Sequence, residues 1–186
     1  MRVFTATLLA AMLTGLSAAH ADGYVSLGVG SRAALSGNLG SQFQSEGISA
    51  GRLALGYRSG SLAIEATAFG NGLGSMASDA DLATASLGVD LKYHLHIALG
   101  IEGYGRAGLH RTWLAQSGQP KSLMTGYQGN GHVLGGGLQY AFELLPVVDA
   151  AVWADYSRQA FDLSNEAQQS MSGTADVITV GLSIGL

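Results

Sequence analysis

The feature that most constrains this chain is an alternation of apolar and polar residues that returns eight times along its length. In the last stretch, TVGLSIGL, the apolar residues Val180, Leu182 and Ile184 alternate with Thr, Gly and Ser. A period of two residues is that of a β-strand whose two faces meet different surroundings. The sequence therefore predicts an all-β fold with eight strands, at residues 23–35, 48–58, 61–69, 84–94, 97–110, 132–143, 147–157 and 176–186.

The links between these segments alternate between short and long. The short links fall at 59–60, 95–96 and 144–146, and the longer polar links fall at 36–47, 70–83, 111–131 and 158–175. This pattern predicts an antiparallel up-and-down arrangement, with tight turns at one end and extended loops at the other. Barrels of the bacterial outer membrane have short periplasmic turns and long extracellular loops. We therefore expect an eight-stranded antiparallel transmembrane β-barrel.

The first 21 residues have the composition of a secretory signal peptide. Arg2 provides the positive start, residues 3–16 are largely apolar, and Ala19-His20-Ala21 is a small-x-small cleavage site. We expect residues 1–21 to be removed and residues 22–186 to form the barrel domain. The charged fraction of 12% is low, about half the roughly 25% usual for soluble domains. The chain has no cysteine, which excludes a disulfide framework.

The partner classes follow from charge and motif content. A formal net charge of −4 argues against nucleic-acid binding. The glycine run at 135–137 lies inside an alternating segment without a following helix, so it is not a phosphate-binding loop. No catalytic motif, cofactor site or metal site is predicted. His94 and His96 flank a predicted tight turn and are interpreted as ordinary turn residues.

Charged residues fall on the polar side of the alternation, and alternation alone does not say whether that side faces inward. In a soluble lipocalin-like barrel the charges would face water, whereas in a membrane barrel they would fill the lumen. Small Gly, Ser and Ala residues between the charges leave room in a narrow lumen and favour the membrane barrel. The charged residues are Arg32, Arg52, Arg58, Glu65, Asp90, Lys92, Glu102, Arg106, Glu143, Asp149 and Asp155. All except Arg32 and Arg58 are assigned to a polar lumen cluster.

Aromatic residues favour the same sidedness. They cluster near the predicted strand ends, where two belts at the two membrane interfaces are expected. Those at the tight-turn end are Tyr24, Tyr57, Tyr93, Tyr140 and Phe142, and those at the long-loop end are Trp113, Tyr156 and Phe161.

The last strand carries a pattern that resembles the assembly signal of outer-membrane barrels. Thr179, Gly181, Ile184 and Leu186 occupy its polar, glycine and two apolar positions, although the final residue of such signals is more often Phe or Trp. With the signal peptide and loop pattern, the chain resembles the small eight-stranded barrels of the outer-membrane protein A and X kind. The resemblance implies location in the outer membrane of a Gram-negative bacterium, contact with outer-membrane lipid, and recognition by the barrel-assembly machinery during biogenesis.

Three functions remain open from the sequence. The leading hypothesis is a structural or surface-interaction role through the long extracellular loops, without enzyme activity, for an extracellular partner that the sequence does not identify. The second is a lipid A-modifying barrel enzyme, for which His110 and His132 are candidates, but their parities predict that they face opposite sides of the wall. The third is a soluble periplasmic ligand-binding barrel of the lipocalin type.

Overall fold

The computed structural model describes residues 22–37, 48–75, 81–116, 126–145, 148–165 and 167–185. The expected signal peptide and Leu186 lie outside these residues. No helix in the described ranges is long and apolar enough to cross a membrane. The described chain forms eight strands: β1 Asp22–Gly37, β2 Ile48–Ser59, β3 Leu62–Ser75, β4 Asp81–Ala98, β5 Ile101–Gln116, β6 Gln128–Leu145, β7 Val148–Ser164 and β8 Ser170–Gly185.

These strands close into a single antiparallel barrel in which each strand pairs with its neighbours in sequence. The closure is made by β1 and β8, for example by Val25 opposite Ile184 and Leu27 opposite Leu182. A closed barrel leaves no sheet edge with unpaired backbone groups, which is the condition for a β-structure in hydrocarbon. The predicted fold class is confirmed.

One tight turn lies elsewhere than the sequence predicted. The β4–β5 turn is at Leu99 and Gly100, which have positive φ values of 50° and 80°, and not at 95–96. Two positive φ values are those of the type I′ turn that joins two antiparallel strands with the right twist. The strand β4 continues to Ala98 because it stays paired with β5 through His96 and Ala98, with an irregularity in the register between these two residues. The prediction was wrong because it did not use Gly100 as the turn signal.

The strands also extend further into the long links than expected. Residues 158–164 and 170–175, predicted as loop, are paired between β7 and β8, as in Asp162 opposite Ser172. Alternation persists there with the opposite polarity, because Phe161 and Leu163 are buried inside while Arg158 and Asp162 face outward. The sequence of this hairpin resembles a polar loop because its outward-facing residues are polar, unlike those of the apolar band.

Large apolar side chains face outward over the middle of the barrel. They include Leu27, Val29, Leu55, Leu87, Leu91, Leu134, Leu138, Val180 and Leu182. This sidedness is the reverse of what a lipocalin-like ligand cavity requires. The predicted belt positions of Tyr24 and Phe161 are wrong. The Tyr24 hydroxyl donates a hydrogen bond to Glu65 inside the barrel, and Phe161 is buried in the interior. Tyr93, Tyr140 and Tyr156 are exposed on the outer face.

Candidate functional site: the barrel interior

The middle of the barrel interior is a layer of six charged side chains, called here the charged layer. Its three cations and three carboxylates are all buried, with side-chain exposures between 0% and 5%. They come from β2, β3, β4, β5 and β7, and each lies on the inward parity of its strand. The layer consists of Arg52, Glu65, Asp90, Lys92, Arg106 and Asp155.

Glu65 is the acceptor at one side of this layer. Arg52 donates to it in an ion pair, and the Lys92 Nζ atom lies 3.2 Å from its Oε1 atom. The Tyr24 hydroxyl donates a third hydrogen bond, at 2.7 Å. Several charge-assisted donors on one buried carboxylate offset the cost of removing it from water. Glu65 thereby links β1, β2, β3 and β4.

Arg106 joins the other side of the layer. Its Nη1 atom lies 2.9 Å from Asp90 and its Nε atom lies 2.9 Å from Asp155. Arg52 is 3.9 Å from the same Asp155 carboxylate and connects the two halves. Because formal charges balance and each carboxylate has a cationic neighbour, the layer avoids an isolated buried charge.

Aromatic rings fill the space around these charges. The Arg52 guanidinium lies 5.2 Å from the centroid of Trp153, and Lys92 Nζ lies 4.1 Å from that of Tyr104. Such contacts are in the range of cation–π attraction. Trp153 lies against Gly28 and Gly181, where a Cβ atom would overlap the indole ring. The glycines at the β1–β8 closure therefore make room for this ring.

Towards the tight turns, the interior opens into a polar mouth. Arg58 donates to both carboxylate oxygens of Glu102, at 2.7 and 2.9 Å, and Gln139 donates to Glu102 at 2.8 Å. Glu143 and Asp149, assigned to the lumen cluster from the sequence, are exposed at this mouth and lie opposite each other in the register of β6 and β7. They are on the inward parity but are exposed, because they lie at the strand ends. They line a cavity of about 300 Å³.

Towards the loops, the interior changes from charged to neutral and then to apolar. Asn71 donates to Gln159 at 2.9 Å, and Ser86 and Thr112 are hydrogen-bonded at 2.9 Å. Beyond them lies an apolar group, called here the loop-end cluster, formed by Ala50, Leu114, Phe161, Leu163, Ala175 and Val177. Side chains therefore fill the described interior in successive layers, as expected for eight strands.

The histidines confirm the predicted parities of His110 and His132. His110 is buried inside, with its Nε2 atom 2.6 Å from Asp90, whereas His132 is exposed on the outer face. They share no site. His94 is buried and His96 exposed, and the described residues contain no group of three or more metal-ligating side chains. The His110–Asp90 contact does not follow from the sequence pattern. It forms because Gly88 is opposite His110 and Asp90 is opposite Gly108 in the register of β4 and β5.

The residues of the expected assembly signal have different surroundings. Thr179 is buried inside, Gly181 lies beneath Trp153, and Ile184 faces outward. Leu186 and the side chain of Arg32 lie outside the part of the chain that the structure describes. Recognition of this strand by the assembly machinery remains a prediction.

Comparisons with known proteins support the architecture. No family model matches the chain, and no curated protein matches it. Among solved structures, it is similar to Neisserial surface protein A, with 16% identity, a TM-score of 0.63, and coverage of 89% of this chain and 96% of that one. It is also similar to a major outer membrane protein of Thermus thermophilus, with 11% identity, a TM-score of 0.53, and coverage of 90% and 100%.

The fold, the apolar outer face and the charged interior define a class of protein. The chain is an eight-stranded antiparallel β-barrel of the outer-membrane type. At architecture level it resembles the small barrels of that membrane, as the sequence predicted.

Proposed function

We propose that this protein is an integral outer-membrane barrel that serves as a rigid scaffold and presents its long loops at the cell surface for interaction. The observation that carries the proposal is the reversal of sidedness along the strands. Apolar residues face outward around a charged interior over the middle, and polar residues face outward around an apolar interior at the loop end. That reversal is expected where strands leave lipid and enter water.

The packed interior supports a scaffold rather than a transport path. The charged layer is joined by ion pairs across the lumen and is closed by Trp153 and Tyr104, which are both buried. Open aqueous channels require about 16 strands, because an eight-stranded lumen is only wide enough for side chains. Residues held in this way give fixed strand ends, from which loops can present a binding surface.

The sequence at the loop end supports a surface role. The segments 38–47, 76–80 and 117–125 connect strands there and are rich in Ser, Gly, Gln and other small or polar residues. Polar segments of this kind interact with water and with polar partners, and they do not require burial. The chemistry of these segments does not favour an enzyme, and His110 is enclosed in the barrel away from lipid.

Amine labelling tests the proposed topology sharply, because the chain has only two lysines, Lys92 and Lys121. Lys92 is buried in the charged layer, and Lys121 is in a loop-end segment. A membrane-impermeant amine reagent applied to intact cells is expected to label Lys121 and not Lys92. Labelling that requires prior permeabilisation of the outer membrane would contradict the proposal.

The matched control is Lys121→Arg, which keeps the charge and removes the reactive amine. It is expected to abolish labelling of intact cells while the barrel still shows a faster-migrating band on unboiled gels. In planar bilayers the purified protein should give no stepwise conductance of an open pore. Large regular conductance steps would overturn the scaffold and favour a channel.

A further inference from the structure

The outer face of β5 and β6 contains a shallow apolar groove within the band of exposed apolar residues. Its floor includes the small residues Ala107 and Gly108. Next to this floor, towards the tight turns, Gly105 and Gly136 are opposite each other, and Gly105 has the same outward parity as Ala107. No heavy atom lies within 4 Å of a Cβ atom placed on Gly105. The groove has a volume of about 520 Å³, and its walls include Ile64, Val89, Leu91, Leu109 and Leu134.

Two basic side chains lie at the loop end of this groove. His132 lines it directly and pairs with Leu109, and Arg111 is the next outward residue of β5 beyond Leu109. Both are exposed. Ten residues separate Ile101 from Arg111 along a strand that rises about 3.4 Å per residue and is tilted by roughly 40°. That span corresponds to about 25 Å, the height of the apolar band in such barrels, so Arg111 lies at headgroup level.

Although Asp162 lines the same loop-end pocket, Arg111 forms no ion pair within the described chain. Its Nη1 atom donates to the Asn130 amide oxygen at 3.0 Å, which is a neutral partner. Arg158, the outward arginine of β7, instead donates to both carboxylate oxygens of Asp176, at 2.7 and 2.9 Å. Arg158 is opposite Leu134, a wall residue of the groove, so both outward arginines border the groove. They differ in available charge, because Arg158 is in an ion pair and Arg111 is not.

We propose that this groove and its basic end dock one phosphorylated lipid of the outer leaflet. An acyl chain lies along the groove over Ala107, and a phosphate group accepts hydrogen bonds from Arg111 and His132. A guanidinium matches the geometry of phosphate oxygens in a bidentate contact. The inference rests on the proposed membrane location, and it adds a lipid class and a place on the barrel wall.

Native mass spectrometry of the detergent-solubilised barrel tests this proposal, with a bis-phosphorylated, hexa-acylated lipid A as the probe. The wild-type barrel is expected to retain one lipid, and Arg111→Gln is expected to weaken binding by about tenfold, the effect of losing one charge-assisted contact. The matched control is Arg158→Gln combined with Asp176→Asn, which removes a bordering arginine together with its ion-pair partner. This control should leave the affinity unchanged. Ala107→Phe, which fills the groove and keeps Arg111, should also weaken binding.

Two competitors distinguish a lipid site from a simple phosphate site. The same lipid without its phosphates should bind weakly, and inorganic phosphate should not displace the full lipid. Equal losses in the two arginine variants, equal binding of the dephosphorylated lipid, or full displacement by inorganic phosphate would each overturn the docking site. Unboiled gel migration of every variant shows whether the barrel itself is folded, so a failure of the lipid site is separable from a failure of the proposed scaffold.

Discussion

The charged layer and the loop-end cluster are two regions of one barrel interior, and they stabilise it by opposite means. The charged layer places Glu65, Asp90 and Asp155 between three cations. The loop-end cluster packs Phe161, Leu163 and other apolar side chains with no charge among them. The strands β2, β5 and β7 contribute to both regions, and they do so through residues of the same inward parity.

The difference between them follows from what lies outside the wall. Where the outer face is apolar, the polar side chains of the alternation must be accommodated inside, and they pair there. Where the outer face carries Arg111, Asp162 and Arg158, the apolar side chains take the interior, as in a soluble protein. On β5 and β7 the alternation keeps its period from one region to the other, and its polarity changes with the surroundings.

The largest expected effect is the loss of one charge from the charged layer. Glu65→Leu leaves Arg52 and Lys92 without their shared carboxylate, and we expect the free energy of unfolding to fall by about 3–5 kcal/mol. Urea titration in lipid vesicles measures it through the fluorescence of Trp153, which is 5.2 Å from Arg52. A Trp113→Phe background leaves Trp153 as the single tryptophan, since the chain has two.

Glu65→Gln is the matched control for that experiment, because it keeps the size and an acceptor oxygen while removing the charge. Its loss should be smaller than that of Glu65→Leu. If Glu65→Leu unfolds at the same urea concentration as the parent, the charged layer does not stabilise the barrel.

A smaller effect is expected in the loop-end cluster. Leu163 is 1% exposed, so Leu163→Ala creates a cavity and should lower the free energy of unfolding by about 2–3 kcal/mol. Leu134→Ala is the control, because Leu134 is 58% exposed on the outer face and its truncation leaves no enclosed cavity. Equal losses in the two variants would show that the loop end has no packed core. The same urea titration provides the comparison.

The smallest effect is expected where an ion pair lies on the outside. Arg158 and Asp176 have side-chain exposures of 61% and 14%, and water and salt screen their attraction. Asp176→Asn should leave the urea midpoint within experimental error, at both low and high salt. A loss as large as that of Glu65→Leu would mean that burial does not decide the strength of these pairs.

Particular residues show how much could be read from the sequence. The inward side of Arg52, Asp90 and Arg106 follows from parity, since residues two apart on a strand share a face. Glu143 and Asp149 share that parity and are nevertheless exposed, because parity does not state how far along the barrel a residue lies. The contacts of Tyr24 with Glu65 and of His110 with Asp90 join different strands, so they required the register.

The sequence by itself determined the strand count, the antiparallel order and the alternation of faces, because these depend on local periodicity and link length. The tertiary structure alone decided which charges meet, where the β4–β5 turn falls, and where the polarity of the alternation reverses. Those features depend on closure of β1 against β8 and on the stagger between strands. Closure and stagger bring residues that are far apart in sequence to the same height in the barrel wall. A local sequence pattern does not contain that information.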